Sequence, residues 1–258
     1  MRFDELDQAM RVYETAHDLC VLPGLFMVAR LDGRGFTKLT KERHDFAAPF
    51  DVRFRDHMLA TTEHLFGVGL RVVYAYTQSD EISLLFARDE AAFGRKLRKL
   101  NSILAAEASA LFSRRLDDHA VFDCRISQLP SVAKVVDYFR WRSEDAHRNA
   151  LNAHCYWTLR RAGASKGAAT AAVEGRSTAA KNELLFREAG INFNDLPRWQ
   201  RRGSGLYWET YAKAATNPKT GEAVTASRRR IRRDTELPMK DAYSDFVRAR
   251  IADAAEAV

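Results

Sequence analysis

Two acidic residues stand where a carboxylate can do chemistry. Asp32 follows an apolar run in "VARLDGRGF" (28–36), and Asp80 sits in "YTQSDEISLLF" (76–86) with Ser79 before it and Glu81 after it. Two carboxylates brought to one place repel unless a cation neutralises them. An all-oxygen set with no His or Cys nearby suits Mg²⁺, which completes its shell with water and substrate phosphates. Such a pair is a candidate for two-ion phosphoryl or nucleotidyl transfer, one ion activating the attacking oxygen and the other stabilising the leaving pyrophosphate. Gly33 and Gly35 would let backbone N–H groups approach a triphosphate, and Arg34 would neutralise it. Taken singly, an Asp-Gly that ends a strand is usually just a turn, and a Ser-Asp-Glu turn is usually solvated. The chemical reading therefore depends on the elements that position the two segments.

"LFMVARL" (25–31) is a short apolar run ended by Asp32-Gly33 and reads as a buried strand. Residues 47–66 place Phe50, Phe54, Met58 and Leu65 at helical spacing. "LRVVYAY" (70–76) and "EISLLFA" (81–87) flank a short polar connection and read as a hairpin. A second helix follows over about 89–115, and "VFDCRIS" (121–127) reads as a further strand. The order β-α-β-β-α-β is that of a ferredoxin-like α+β sheet with its helices on one face. On that sheet the first strand and the hairpin are central, so Asp32 and Asp80 reach the same edge. After Tyr138 the character turns helical, in "WRSEDAHRNALNAHCYWTLRRAG" and "STAAKNELLFREAG", each stopping at a Gly. The expected division is a palm-like catalytic domain over 1–140 and a mainly helical part over 141–258, with "PRWQRRGSGLYWETY" returning as turn and strand.

With 258 residues and 46% hydrophobic content the chain can bury a large core. Its longest apolar run falls far short of the roughly 20 residues of a membrane span, and its charged first residues are unlike a signal peptide. The expected location is cytoplasmic. Cys20, Cys124 and Cys155 are too few and too scattered for a disulfide framework or a paired-ligand zinc site, so reduced, buried thiols are expected. The net charge of +7 is compatible with a polyanionic partner. Five basic residues concentrate in "RRRIRR", Arg228 to Arg233, which reads either as a solvated or disordered segment or as a phosphate contact.

Six separated blocks carry a resemblance: "RLDGRGF" (30–36), "YTQSDEISLLF" (76–86), "FDCRI" (122–126), "WRSEDAHRNAL" (141–151), "AAKNELLF" (179–186) and "INFNDLPRWQRRG" (191–203). In order and spacing they resemble the tRNA(His) guanylyltransferase family, and the bacterial-type members that polymerise in the 3′→5′ direction in particular. The resemblance implies a polymerase-palm-like domain and nucleotide addition to a tRNA 5′ end, with two Mg²⁺ ions, ATP and GTP or other triphosphates as substrates, and a homotetramer sharing one tRNA. It assigns metal binding to Asp32 and Asp80 with Gly33 lending backbone, and places Glu81 and Ser79 in the same acidic block. It implies triphosphate contacts for Arg30, Lys96, Lys99 and Arg125, beside Arg34, Gly35 and Phe36 of the glycine turn. His147, Asn149, Lys181 and Asn182 match blocks associated with 5′-end activation and tRNA engagement, to which Arg228, Arg229 and Arg230 are added for their charge.

The chain departs from the family pattern at two places. Many members carry a Lys in a Lys-Pro context where this chain has Ala48-Pro49, and a later Asn of the helix motif falls on Ala153. Lys38 and Lys41 are the nearby charges that would stand in for the first. These departures favour templated repair of 5′-truncated tRNA over untemplated addition of G at position −1 of tRNA(His). Two other classes compete: a palm-fold nucleotide cyclase, which leaves the blocks over 141–203 without a role, and a non-catalytic tRNA-binding protein, against which both retained aspartates argue.

Overall fold

The computed structural model describes residues 2–216, 219 and 221–256. Along them run α1 (Phe3–Thr15), β1 (Phe26–Arg34), a short turn of helix α2 (Phe36–Lys38), α3 (Val52–His64), β2 (Val72–Gln78), β3 (Glu81–Phe86), α4 (Leu97–Leu116), β4 (Val121–Leu129), α5 (Val132–Arg161), α6 (Lys166–Val173), α7 (Thr178–Ala189), α8 (Arg198–Arg202), β5 (Ser204–Thr216), β6 (Ala223–Asp234) and α9 (Lys240–Glu256).

The six strands form one antiparallel sheet in the order β4-β1-β3-β2-β5-β6. Its first four strands are the expected ferredoxin-like unit, with β1 and β3 central. Alternation along β1 splits its side chains between two cores. Met27, Ala29 and Leu31 pack with Met58 of α3 and Leu104 and Phe112 of α4, while Phe26 and Val28 face the opposite way onto Val135 and Phe139 of α5. The helices of the ferredoxin-like unit thus share one face as expected. The C-terminal part covers the other face with α5 and α9, through Phe139, Tyr243 and Val247.

That C-terminal part is less purely helical than its sequence suggests, because β5 and β6 extend the same sheet. Ser204–Tyr207 of β5 pair with β2, and the rest of β5 pairs only with β6, leaving a two-stranded ribbon beyond the body. The "RRRIRR" segment is therefore strand, its charges directed alternately to two faces. Helix α5 begins at Val132, with the Ser131 hydroxyl capping the Lys134 N–H, so the compositional change near residue 140 lies inside one continuous helix. Its second half builds a third cluster with α7, from Leu151, Cys155, Leu184 and Leu185. Helix α4 starts later than its apolar pattern because Phe93, Gly94 and Arg95 have positive φ, a turn that no helix continues. Cys155 is buried, whereas Cys20 is exposed, which corrects the expectation for that thiol.

Candidate active site

Asp32 lies on β1 with Glu81 of β3 beside it in register on one side and Asp123 of β4 on the other. These carboxylates project from the sheet face that α5 covers. Asp80 occupies the β2–β3 turn, reached through Ser79 at φ +53°. The Gly33 N–H donates to the Asp80 carbonyl at 3.0 Å, which ties the end of β1 to the hairpin turn and fixes the two aspartates at one edge. The Ser79 hydroxyl donates to Asp80 Oδ1 at 3.0 Å.

Burial, with the neighbouring charge of Asp32, holds the Asp80 carboxyl above its usual range. Burial also raises Glu81, opposed by Arg142 and Arg30. Arg142 donates from Nε and Nη2 to the two Glu81 oxygens at 2.7 and 2.9 Å, and Arg30 Nη2 approaches Glu81 at 2.7 Å. Arg142 also reaches Asp145 at 3.1 Å. Glu81 is therefore neutralised by two arginines, Arg30 also stands 3.7 Å from Asp32 Oδ2, and Asp32 and Asp80 both line the cleft. This pair fits a hard divalent cation: the donors are all oxygen, and the raised proton affinity of Asp80 marks negative charge that a cation would relieve. Among the described residues no group of three or more His, Cys, Asp or Glu side chains is set for a metal. An ion here must take its remaining ligands from water and substrate, as Mg²⁺ commonly does.

The aspartates open into a cleft of about 380 Å³. Asp145 and Asn149 of α5 line it near the carboxylates, and Phe50, Trp157 and Trp199 supply aromatic wall. Arg55 lies over the Trp199 ring and Lys41 over the Trp157 ring, at 4.8 and 5.1 Å from the centroids. Lys41 and Ala48 both line the cleft; Lys38 does not.

The glycine turn is built as its composition suggests. Gly35 sits at φ +74° at the start of α2, and a Cβ on Gly33 would meet the Phe36 ring at 2.4 Å. Phe36 itself is buried against Phe54, Phe112 and Phe122, so its first role is to anchor the turn in the core. Arg34 is exposed at the end of β1. Arg125 lies opposite Arg30 on β4 and bonds Asp123 at 3.1 Å, close to the aspartates along the same sheet face.

Other expected residues are not brought to the cleft. Lys96 pairs with Asp18 at 2.5 Å, and exposed Lys99 lies one turn further along α4. Both belong to the far end of the sheet, where Arg95 bonds the Val21 and Leu25 carbonyls ahead of β1. Six residues of strand, about 20 Å, separate that end from Asp32. His147 packs on Phe193 at 5.2 Å, and burial lowers its pKa. Lys181 and Asn182 lie on α7, where the Asn182 amide is used on the Thr178 carbonyl at 2.9 Å. Arg228, Arg229 and Arg230 are on the ribbon; Arg229 lies over Trp208, and Arg230 bonds Glu209 at 2.8 Å.

Three residues at the site were not singled out from sequence: Arg142, Asp145 and Asp123. Each was visible within a quoted block, the first two three residues apart on one helix face and the third beside a strand cysteine, but only strand register and the docking of α5 show where they point.

The comparisons with known proteins speak to the family and the fold. The family model described as "tRNAHis guanylyltransferase" matches residues 7–130, and that described as "Thg1 C terminal domain" matches residues 133–248. The chain is 35% identical over 198 residues to the probable tRNA(His) guanylyltransferase of Drosophila melanogaster, covering 73% of this chain and 69% of that protein. It is 34% identical over 199 residues to the tRNA(His) guanylyltransferase of Neurospora crassa, covering 72% and 68%. Among solved structures, a bacterial tRNA(His) guanylyltransferase-like protein in complex with ATP superposes with a TM-score of 0.76 at 27% identity, over 95% of this chain and 98% of that one. A bacterial tRNA(His) guanylyltransferase-like protein in complex with GTP gives 0.73 at 27% identity, over 96% and 99%. With matches that run through both halves of the chain and a fold that places its two aspartates at one strand edge, the chain belongs to the tRNA(His) guanylyltransferase family.

Proposed function

We propose that this nucleotidyltransferase extends the 5′ end of tRNA in the 3′→5′ direction, with Mg²⁺, and that the opposing strand of the acceptor stem instructs the added base. The observation that carries the reading is the meeting of Asp32 and Asp80, locked by the Gly33 N–H to Asp80 carbonyl bond, at the head of a cleft of about 380 Å³. Relatives of the same fold hold ATP and GTP.

Two chemical steps fit such a site. The tRNA 5′-monophosphate attacks the α-phosphorus of ATP and releases pyrophosphate, leaving an adenylylated 5′ end. The 3′-hydroxyl of the incoming triphosphate then attacks the 5′ phosphorus and releases AMP. A 5′-triphosphorylated tRNA needs only the second step, with pyrophosphate as the leaving group. Asp32 and Asp80 would hold the metal, which when bound stabilises charge on the in-line phosphorus and lowers the pKa of the attacking hydroxyl. The chain's own contribution is positional. Gly33 fixes the aspartates relative to each other, and Arg142 and Arg30 neutralise Glu81, Arg30 at a closer approach than its 3.7 Å to Asp32.

Templating is supported by how the cleft uses its amides. Gln78 donates to the Gln200 carbonyl at 2.8 Å and Asn149 to Asp145 at 3.2 Å, so one N–H of each lining amide is held by the protein, and no cluster of amides is gathered for one base. The test is incubation with a tRNA lacking its first nucleotide and carrying each of the four bases at position 72. Incorporation should follow the Watson–Crick complement; GTP preferred against all four would restore untemplated G addition.

A homotetramer is part of the proposal. Helix α1 has no buried residue, and its Phe3, Leu6, Met10 and Tyr13 recur at three- and four-residue spacing on an exposed face. A helix of 13 residues is marginal by itself in water, so this face is one that association would cover.

A further inference from the structure

The cleft changes character along its length. Asp32, Asp80 and Asp145 stand at its sheet end, and twelve residues further along α5, about 18 Å of helix, Trp157 lines the other end. There Lys41 Nζ lies over the Trp157 ring at 5.1 Å. Arg161 joins the same rim, donating from Nε to the Trp157 carbonyl at 3.2 Å and from Nη2 to the Ala48 carbonyl at 3.3 Å. The other lining cations are engaged by carboxylates, Arg142 by Glu81 and Asp145, and Arg55 by Asp56. Among the described residues, no ion pair joins Lys41 or Arg161 to a carboxylate. The rim is thus basic and uncompensated, and the far end is acidic.

Three linked phosphates span much less than the roughly 18 Å of α5 between Asp145 and Trp157, so phosphates held at the Asp145 end do not fill the rim. Neither charge is met by a carboxylate: Arg161 is held by two carbonyls, which leave its other N–H groups to donate, and the indole face holds the Lys41 ammonium in place, which lowers the ordering cost of using it. We propose that Lys41 and Arg161 hold a backbone phosphate of the RNA strand entering the cleft. The assignment rests on the nucleotidyl-transfer reading above. It takes from the rim a register for the RNA, fixing how far the strand reaches toward the aspartates.

The test is steady-state kinetics on full-length protein with a 5′-truncated tRNA and its complementary triphosphate, over a series of salt concentrations. Turnover by the unaltered protein tests the nucleotidyl-transfer reading; the comparison of variants tests the rim. Lys41→Met and Arg161→Gln should each raise KM for tRNA about 10- to 150-fold, the range for losing one charged hydrogen bond. Each should also reduce the slope of log KM against log salt by about 1. KM for the triphosphate and kcat should stay within about twofold, and Lys41→Arg should retain most of the tRNA affinity, as a phosphate contact requires charge rather than an ammonium. A rise in KM for the triphosphate with tRNA unaffected would place the nucleotide at the rim and overturn the proposal. So would unchanged salt dependence, or an equal effect from Lys38→Met, which lies outside the cleft. Thermal unfolding of each variant separates loss of binding from loss of fold.

Discussion

Asp32 and Asp80 sit at one edge because Gly33 has no side chain. A Cβ there would meet Phe36, whose ring is held by three other phenylalanines and has little room to retreat. Gly33→Ala should therefore destabilise the fold by about 1–3 kcal/mol, the usual cost of overpacking a filled core. It should also lower kcat by moving the aspartates apart; wild-type kcat in a folded Gly33→Ala protein would contradict this. Asp32→Ala and Asp80→Ala should each reduce nucleotide incorporation by about 10²- to 10³-fold or more, as expected for removing a group that stabilises transition-state charge. Their circular dichroism and melting should remain those of a folded protein, since neither side chain is core. Substantial Mg²⁺-dependent incorporation in either variant would remove that residue from the site.

At the scale of elements, α3 and α5 frame the cleft, and each is held in a way that can be tested. The Asp51 carboxylate caps α3 by accepting the Arg53 N–H at 2.6 Å, and it accepts the Ala47 N–H at 2.7 Å from the loop that lines the cleft. The hydrogen bond from the Arg53 side chain, with these backbone bonds, lowers the Asp51 pKa from 3.8 to about 2. A depressed folded pKa means that the carboxylate's contribution to stability is complete above 3.8 and is lost as pH falls through about 2. Asp51→Ala should cost roughly 1–2 kcal/mol at neutral pH. The difference from wild type should shrink progressively below pH 4 in chemical denaturation, and a difference independent of pH would contradict the assigned cap. Helix α5 serves the site through spacing alone: Arg142, Asp145, Asn149, Ala153 and Trp157 recur every three or four residues and so share one face. A substitution that disturbs this face anywhere along its length should change the cleft rather than the sheet.

For the whole molecule, the proposed function makes charge and association the properties to measure. Arg228, Arg230 and Arg232 share one face of the β5–β6 ribbon, and Glu209 bonds only the last two of them, at 2.8 and 2.9 Å. Incorporation should weaken as salt rises, since binding that releases counterions from RNA is salt-dependent. Combined Arg228→Ala and Arg230→Ala should raise KM for tRNA and flatten that dependence while kcat holds. A KM for tRNA independent of salt would count against phosphate contacts over an extended surface. Light scattering should give a tetramer at working concentration, and Leu6→Glu with Met10→Glu, placed on the exposed face of α1, should reduce it to smaller species without unfolding the sheet. Full activity from a monomer would end the assembly reading.

Local chemistry determined the carboxylates, the glycine turn and the ferredoxin-like strand order, because period-two and helical apolar patterns and an Asp-Gly turn are properties of a few adjacent residues. What tertiary structure decided is which of the charged residues are free. Glu81 and Asp80 are neighbours in sequence, yet Arg142, sixty-one residues later, neutralises one and leaves the other facing the cleft. Lys96 and Lys99 follow the hairpin closely in sequence, but the chain crosses the length of β3 before α4 begins, which carries them to the opposite end of the sheet. The basic "RRRIRR" segment has the composition of a solvated tail, and it became a strand because β5, docked on β2, offers it an edge to pair with. Hydrogen-bond partners, strand neighbours and helix docking are long-range facts, settled only when distant segments compete for the same backbone edge and the same buried charge.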